Sequence, residues 1–98
     1  MYDNLNNYKV FYTVANMGSI SKAADALFIS QPAISKSIAK LEDGIKSKLF
    51  IRTSKGAKLT DEGKILYQHI EKAFDCINQG EDEIKRINEL GIGQLKIG

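Results

Sequence analysis

The chain has 98 residues, enough for one small domain, and its 43% apolar and 27% charged content is that of an ordinary globular protein. No run approaches the ~18 apolar residues of a membrane span, the opening MYDNLNNYKV lacks the basic start and apolar core of a secretory signal, and one cysteine excludes an internal disulfide, so a reducing, cytoplasmic setting is expected. The net charge of +2 hides an asymmetry: residues 1–60 carry nine Lys/Arg against four Asp/Glu, and residues 61–98 carry five against eight, so only the first part is suited to face phosphate.

The first helix is expected from about residue 4 to residue 17, capped by Asp3 or Asn4 and stopped by Gly18. Leu5, Tyr8, Phe11, Val14 and Ala15 recur at helical spacing, which makes the aromatic residues core rather than a platform for bases. Ser21 then stands before an alanine-rich helix over residues 22–28 and can accept from its free first-turn N–H groups. Ser30 offers the same cap to a third helix that opens with Gln31 and Pro32, where a missing N–H costs nothing. Residues 29–30 are the turn, and so short a link forces a sharp angle.

The third helix divides into two faces. Ile34, Ile38, Leu41 and Ile45 form an apolar stripe, and Gln31, Ser35, Lys36, Ala39 and Lys40 lie off it. Two short helices with a polar, cationic second member are the layout of a helix-turn-helix that enters the DNA major groove. An ordinary helical hairpin with solvated lysines is the alternative. Gln31, Pro32, Ser35 and Lys36 are the expected base-contacting residues: glutamine pairs with adenine, lysine donates to guanine, and serine serves either. Ser21, Lys22, Ser30 and Lys40 are expected at the DNA backbone.

Residues 49–52 and 57–59 read as two extended pieces around a tip of Ser54, Lys55 and Gly56, the wing of a winged helix. Lys55 is the candidate for an adjacent minor groove, where a narrow width concentrates negative potential. Thr60 caps a long helix running to about residue 90, with Asp61 and Glu62 at its positive end. Along it Gly63, Ile70, Ile77 and Ile84 recur at one heptad position and Leu66, Ala73, Gly80 and Ile87 at the other. A helix about 45 Å long overhangs a globule roughly 27 Å across. Leu66, Ile70, Ala73, Ile77, Ile84 and Ile87 are therefore the expected contacts of a homodimer. The alternative is a long amphipathic helix folded back onto its own domain, a use open locally to Ile65 and Phe74, which lie off the seam, so that both can coexist. Gly80 is a flaw in the seam, Gly91 and Gly93 end the helix, and residues 94–97 look like the start of a strand. His69 and Cys76 stand singly, with no spacing for a metal, a cofactor or an enzyme's nucleophile. A pure oligomerisation module is the second function class.

A longer series sharpens the reading. Phe11, Val14, Ala15, Gly18, Ser19, Ala23, Ala24 and Leu27 are followed in register by Ser30, Gln31, Pro32, Ala33, Ser35, Ile38, Leu41 and Glu42. Leu49, Phe50, Arg52, Leu59, Thr60 and Gly63 continue it. This ordered set resembles the N-terminal half of a LysR-type transcriptional regulator, from about residue 5 to the last residues. The resemblance implies an all-α fold with a small β wing: a winged helix-turn-helix over residues 1–60, a dimerising linker helix over 61–90, and at 91–98 the start of an effector-binding domain. It implies double-stranded DNA as partner, read as an interrupted inverted repeat by a dimer, with a dimer or tetramer in the intact protein. It implies a small-molecule effector bound only on the C-terminal domain, and no cofactor. It also gives Arg52 to a phosphate or groove edge. Three positions depart from the pattern: Tyr8 replaces a leucine, Lys55 an arginine, and Lys46 a glycine that here stands at Gly44. Either the third helix stops early or Lys46 closes it in a strained conformation.

Overall fold

The computed structural model describes residues 5–54 and 56–90. Helix α1 (Leu5–Met17) buries Asn7, Val10, Phe11 and Val14. Leu5, expected in the core, is 64% exposed; it stands on the first turn, at the rim of a groove shared with Leu66, Ala73 and Ile77. Gly18 stops the helix at φ +67°, its N–H donating to the Val14 carbonyl at 2.8 Å.

Helix α2 (Ile20–Leu27) starts earlier than the sequence suggests, and its cap is Ser19 rather than Ser21. Ser19 has the extended backbone that a cap requires, and its Oγ accepts from the Lys22 N–H at 3.2 Å. Ser21 falls inside the first turn, its hydroxyl hydrogen-bonded to that of Ser19. This register buries Ala23 and Ala24, whose small side chains let α2 pack closely on α1 and on helix α3 (Gln31–Ile45). Phe28 closes α2 in the left-handed region, at φ 58°. Ser30 caps α3 as expected, accepting from the Ala33 N–H at 3.2 Å.

Within α3, Ile34, Ile38 and Leu41 are buried, but Ile45 is 43% exposed because the last turn runs past the edge of the core. The helix does not stop at Gly44. Lys46 closes it at φ 56°, ψ 42°, and the N–H groups of Lys46 and Ser47 both donate to the Glu42 carbonyl. A side chain in that region costs about 1–2 kcal/mol, which is why glycine is the usual residue there.

Strands β1 (Phe50–Thr53) and β2 (Gly56–Leu59) form an antiparallel hairpin, with Phe50 opposite Leu59 and Thr53 opposite Gly56. The hairpin is seated on the end of α1. The Ala57 N–H donates to the Gly18 carbonyl at 3.0 Å, and a Cβ on Gly56, which sits at φ +143°, would overlap that same oxygen.

Helix α4 (Asp61–Glu89) begins at Thr60, whose Oγ1 accepts from the Gly63 N–H at 2.9 Å and donates to the Lys48 carbonyl at 2.6 Å. Two clusters make the core. Val10, Val14, Ala23, Ala24, Ile34 and Ile38 join the first three helices, and Phe11, Leu41, Leu49 and Ile70 bring in the wing and α4. Leu66, Tyr67 and Phe74 cover the second cluster. Tyr12 stacks on Tyr67, with centroids 5.1 Å apart, and meets Phe74 edge-on at 4.9 Å. Phe74 thus folds back as expected. Ile65 does not; it lies exposed on the opposite face. Beyond Phe74 the helix leaves the globule, and the molecule is 56 Å long.

One lysine, one glycine and one tyrosine test this packing. Lys46→Gly should stabilise the fold by about 1 kcal/mol by relieving the left-handed conformation. Gly63→Ala should destabilise it by about 2 kcal/mol through overpacking, because a Cβ there would overlap the Leu49 carbonyl oxygen. Urea unfolding measures both.

The Tyr67 O–H donates to Asn16 Oδ1, with Glu71 Oε2 at 3.5 Å. Burial, then Tyr12 and Glu71, raise this phenol above its ordinary value of 10.0. A raised folded value adds stability below the unfolded value that is lost as pH climbs through the folded one. Tyr67→Phe should therefore cost about 1 kcal/mol near neutrality, and its gap from the parent should narrow above about pH 10, read by unfolding at the two pH values.

Candidate nucleic-acid interface

Three of the four helices start alike, with a Ser or Thr oxygen accepting the N–H three residues on, but their first turns differ in charge. Helix α4 opens with Asp61 and Glu62, which offset the positive end of its dipole. Helix α3 has no acid in its first turn, so its positive end is left for an outside anion.

Gln31, Pro32 and Lys36 are exposed around that end, Lys40 is exposed one turn on, and Ser35 is half-buried beside them. The cap residue Ser30 is exposed, as are Ser21 and Lys22 on the first turn of α2. The expected base-contacting residues thus share one end of α3, and the expected backbone contacts other than the wing lie on α3 and α2.

The wing joins this surface from the other side. Arg52 on β1 reaches across to α3, where its Nη2 donates to Ser35 Oγ at 3.0 Å. Between helix and strand runs a groove of about 560 Å³, lined by Ile20, Ser35, Ala39, Phe50 and Arg52. Arg52, Lys22, Lys36 and Lys40 make no ion pair among the described residues; the one pair there joins Lys48 to Glu42 at 3.8 Å. Unpaired cations over an acid-free helix end suit a polyanion. Lys55 lies outside the described residues, as do 91–98 and the Asp3 or Asn4 cap.

One residue was underrated by its sequence. Glu42 Oε2 accepts the Leu49 N–H at 2.8 Å and the Phe50 N–H at 3.4 Å, so this carboxylate seats the entrance to the wing against α3. Its only signal is an acid directly after Leu41 of the apolar stripe, and periodicity does not separate it from the exposed Asp43 that follows.

The stripe of α4 is shared between two uses. Ile70 is 8% exposed, packed on Phe11, Leu41 and Leu49, so its assignment to a dimer contact is corrected: its own domain already covers it. Leu66 is half-buried against the same cluster, whereas Ala73, Ile77, Ile84 and Ile87 are exposed. Ile77 and Ala73 border an apolar groove of about 650 Å³ against Leu5 and Tyr8 of α1. His69 and Cys76 are both exposed. Among the described residues there is no cluster of metal-ligating side chains, and no helix is long and apolar enough to cross a membrane.

Residues 5–64 match the family described as bacterial regulatory helix-turn-helix protein, lysR family. The nitrogen assimilation regulatory protein nac of Escherichia coli (strain K12) is 36% identical over 95 residues, 97% of this chain and 31% of that protein. The HTH-type transcriptional activator AmpR of Rhodobacter capsulatus is 37% identical over 94 residues, 96% of this chain and 32% of that protein. The chain therefore spans about a third of the length of these curated relatives.

Among solved structures, the DNA-binding domain of BenM in complex with catB site 1 DNA superposes with a TM-score of 0.76 at 36% identity, covering 85% of this chain and 92% of that one. The complex of the CbnR DNA-binding domain with DNA gives 0.72 at 26% identity, covering 83% and 93%. The relatives and the fold are those of transcription regulators, not of enzymes.

Proposed function

The chain belongs to the LysR family of bacterial helix-turn-helix regulators and carries its winged helix-turn-helix DNA-binding domain, and from that premise we propose that it binds double-stranded DNA sequence-specifically, reading an interrupted inverted repeat as a homodimer. The observation that carries this reading is the first turn and a half of α3. It is exposed, free of acid, and bears Gln31, Pro32, Ser35 and Lys36 together. Those side chains read base edges in the major groove, with Gln31 suited to adenine and Lys36 to guanine. Ser21, Lys22, Ser30, Lys40 and Arg52 hold the DNA backbone, and Lys55 at the wing tip enters the neighbouring minor groove. The DNA complexes of BenM and CbnR support the choice of partner.

The second half of the proposal is the dimer. Ala73, Ile77, Ile84 and Ile87 leave an apolar stripe on the overhanging part of α4, and a second copy covers it, with Leu66 at its edge. Two-fold symmetry in the protein then matches two-fold symmetry in the operator. In this division residues 1–60 bind DNA, 61–90 link and dimerise, and 91–98 open an effector-binding domain that takes a small molecule. The intact protein is a cytoplasmic dimer or tetramer.

A gel-shift titration of selected against random duplexes tests the reading: strong preference for selected duplexes supports it, and equal binding leaves only an oligomerisation module. In the same assay Gln31→Ala should flatten discrimination at one base pair, where a mismatch is worth about 1–3 kcal/mol. An equal loss on every duplex, with discrimination intact, would place Gln31 on phosphate alone. Ile77→Asp should turn the dimer into a monomer in sedimentation and weaken selected duplexes far more than random ones. A dimer that survives the change would move the seam elsewhere.

A further inference from the structure

Of the four residues proposed for base edges, Ser35 alone has its side chain hydrogen-bonded among the described residues. The partner is Arg52, and the chemistry of that pair is one-directional. A guanidinium has only donors, so the 3.0 Å bond uses Ser35 Oγ as an acceptor. The serine proton has no acceptor among the described residues and remains available to a ligand. A cation beside Oγ strengthens that O–H as a donor and repels a second N–H approaching the same oxygen. Without Arg52 a serine is ambivalent, which is why serine by itself is a poor discriminator of bases.

We propose that Arg52 is a positioning residue for base selection: it makes Ser35 a hydrogen-bond donor, so the base facing Ser35 is chosen for a major-groove acceptor. The inference rests on α3 lying in the major groove. Guanine, with N7 and O6 as acceptors, is then favoured over cytosine, whose N4 amino group donates; thymine O4 is an acceptor, and adenine offers both kinds of group. The position of Arg52 follows from the hairpin register. Arg52 pairs with Ala57, and Ala57 is held by the Gly18 carbonyl, so the guanidinium is carried by a strand whose partner is fixed to the end of α1. Its other N–H groups are free of carboxylates among the described residues and remain for a phosphate. One arginine thereby couples the backbone contact of the wing to the hydroxyl that faces a base.

Selection from a random duplex pool, followed by titration of single-base variants of the selected site, tests this with the chain, Ser35→Ala, Arg52→Leu, their double variant and Gln31→Ala. Arg52 is exposed, and thermal melting confirms that each variant is folded. The unaltered chain should show one position preferring guanine over cytosine by roughly fivefold or more, the low end of a base-pair mismatch. Ser35→Ala should remove that preference. Arg52→Leu should remove it too, while also lowering affinity for every duplex, and the double variant should show no further loss at that position. If Arg52→Leu weakens all duplexes equally and leaves the preference intact, the arginine touches phosphate only and the inference fails. It also fails if Gln31→Ala alters base preference and Ser35→Ala alters none. If neither variant alters base preference at any position, the major-groove placement of α3 itself falls.

Discussion

The backbone around Leu49 is the point on which the rest of the structure depends. Its N–H donates to the Glu42 carboxylate of α3, and its carbonyl accepts from the Thr60 N–H that leads into α4. Its side chain is fully buried among Phe11, Leu41 and Ile70. Gly63 packs against the same carbonyl so closely that any Cβ would overlap it. Two helices therefore meet the backbone of one residue through three different contacts: a charge-assisted hydrogen bond from α3, and a backbone hydrogen bond and a bare backbone approach from the start of α4. The angle of the wing to α3, and of α4 to both, is set there rather than by the strands, which are four residues each. A two-stranded hairpin has little stability of its own. This one is held at its base by Glu42 and Thr60 and on its second strand by Gly18.

That junction also explains why α4 divides into two parts. Its first turns are drawn onto the domain by Gly63 and Ile70, and the aromatic trio of Tyr12, Tyr67 and Phe74 extends the contact for one more turn. Past Phe74 none of the described elements buries the helix: Ile77 only borders the groove beside Leu5, and Ile84 and Ile87 emerge on its surface. A heptad pattern does not distinguish these uses, because apolar residues at three- and four-residue spacing satisfy a core and a seam equally. The residues next to the pattern do. Tyr67 and Phe74 are seven apart, one position after Leu66 and Ala73, and they widen the apolar stripe in its first half only.

What was legible in the sequence follows from the range of each interaction. The caps at Ser30 and Thr60 and the stop at Gly18 are local chemistry, and they stand where composition places them. The apolar positions 34, 38 and 41 are local periodicity, and they are buried. The start of α2 was less plain because serines flank Ile20 on both sides; which one caps is decided by the core, since the Ser19 register turns Ala23 and Ala24 inward and packs Ile20 beside them. Leu5 and Ile45 have the right spacing but lie on end turns, beyond the reach of a core partner. The carboxylate of Glu42 and the bond from Arg52 to Ser35 join positions 7 and 17 residues apart across a change of element, and no repeat in the chain encodes them.

The same distinction bears on specificity. Gln31, Pro32 and Lys36 are legible as the proposed recognition surface because exposure and polarity are properties of one helix. What each side chain selects depends on its neighbours, and here the neighbour comes from another element. Serine at position 35 is neutral information until Arg52 is placed beside it. A lysine at position 52 would carry the same charge, but as a compact ammonium without the planar fork that bonds Ser35 Oγ through one nitrogen and leaves others for a phosphate. Wing and recognition helix are thus better regarded as one surface, joined through Arg52, than as separate readers of separate grooves.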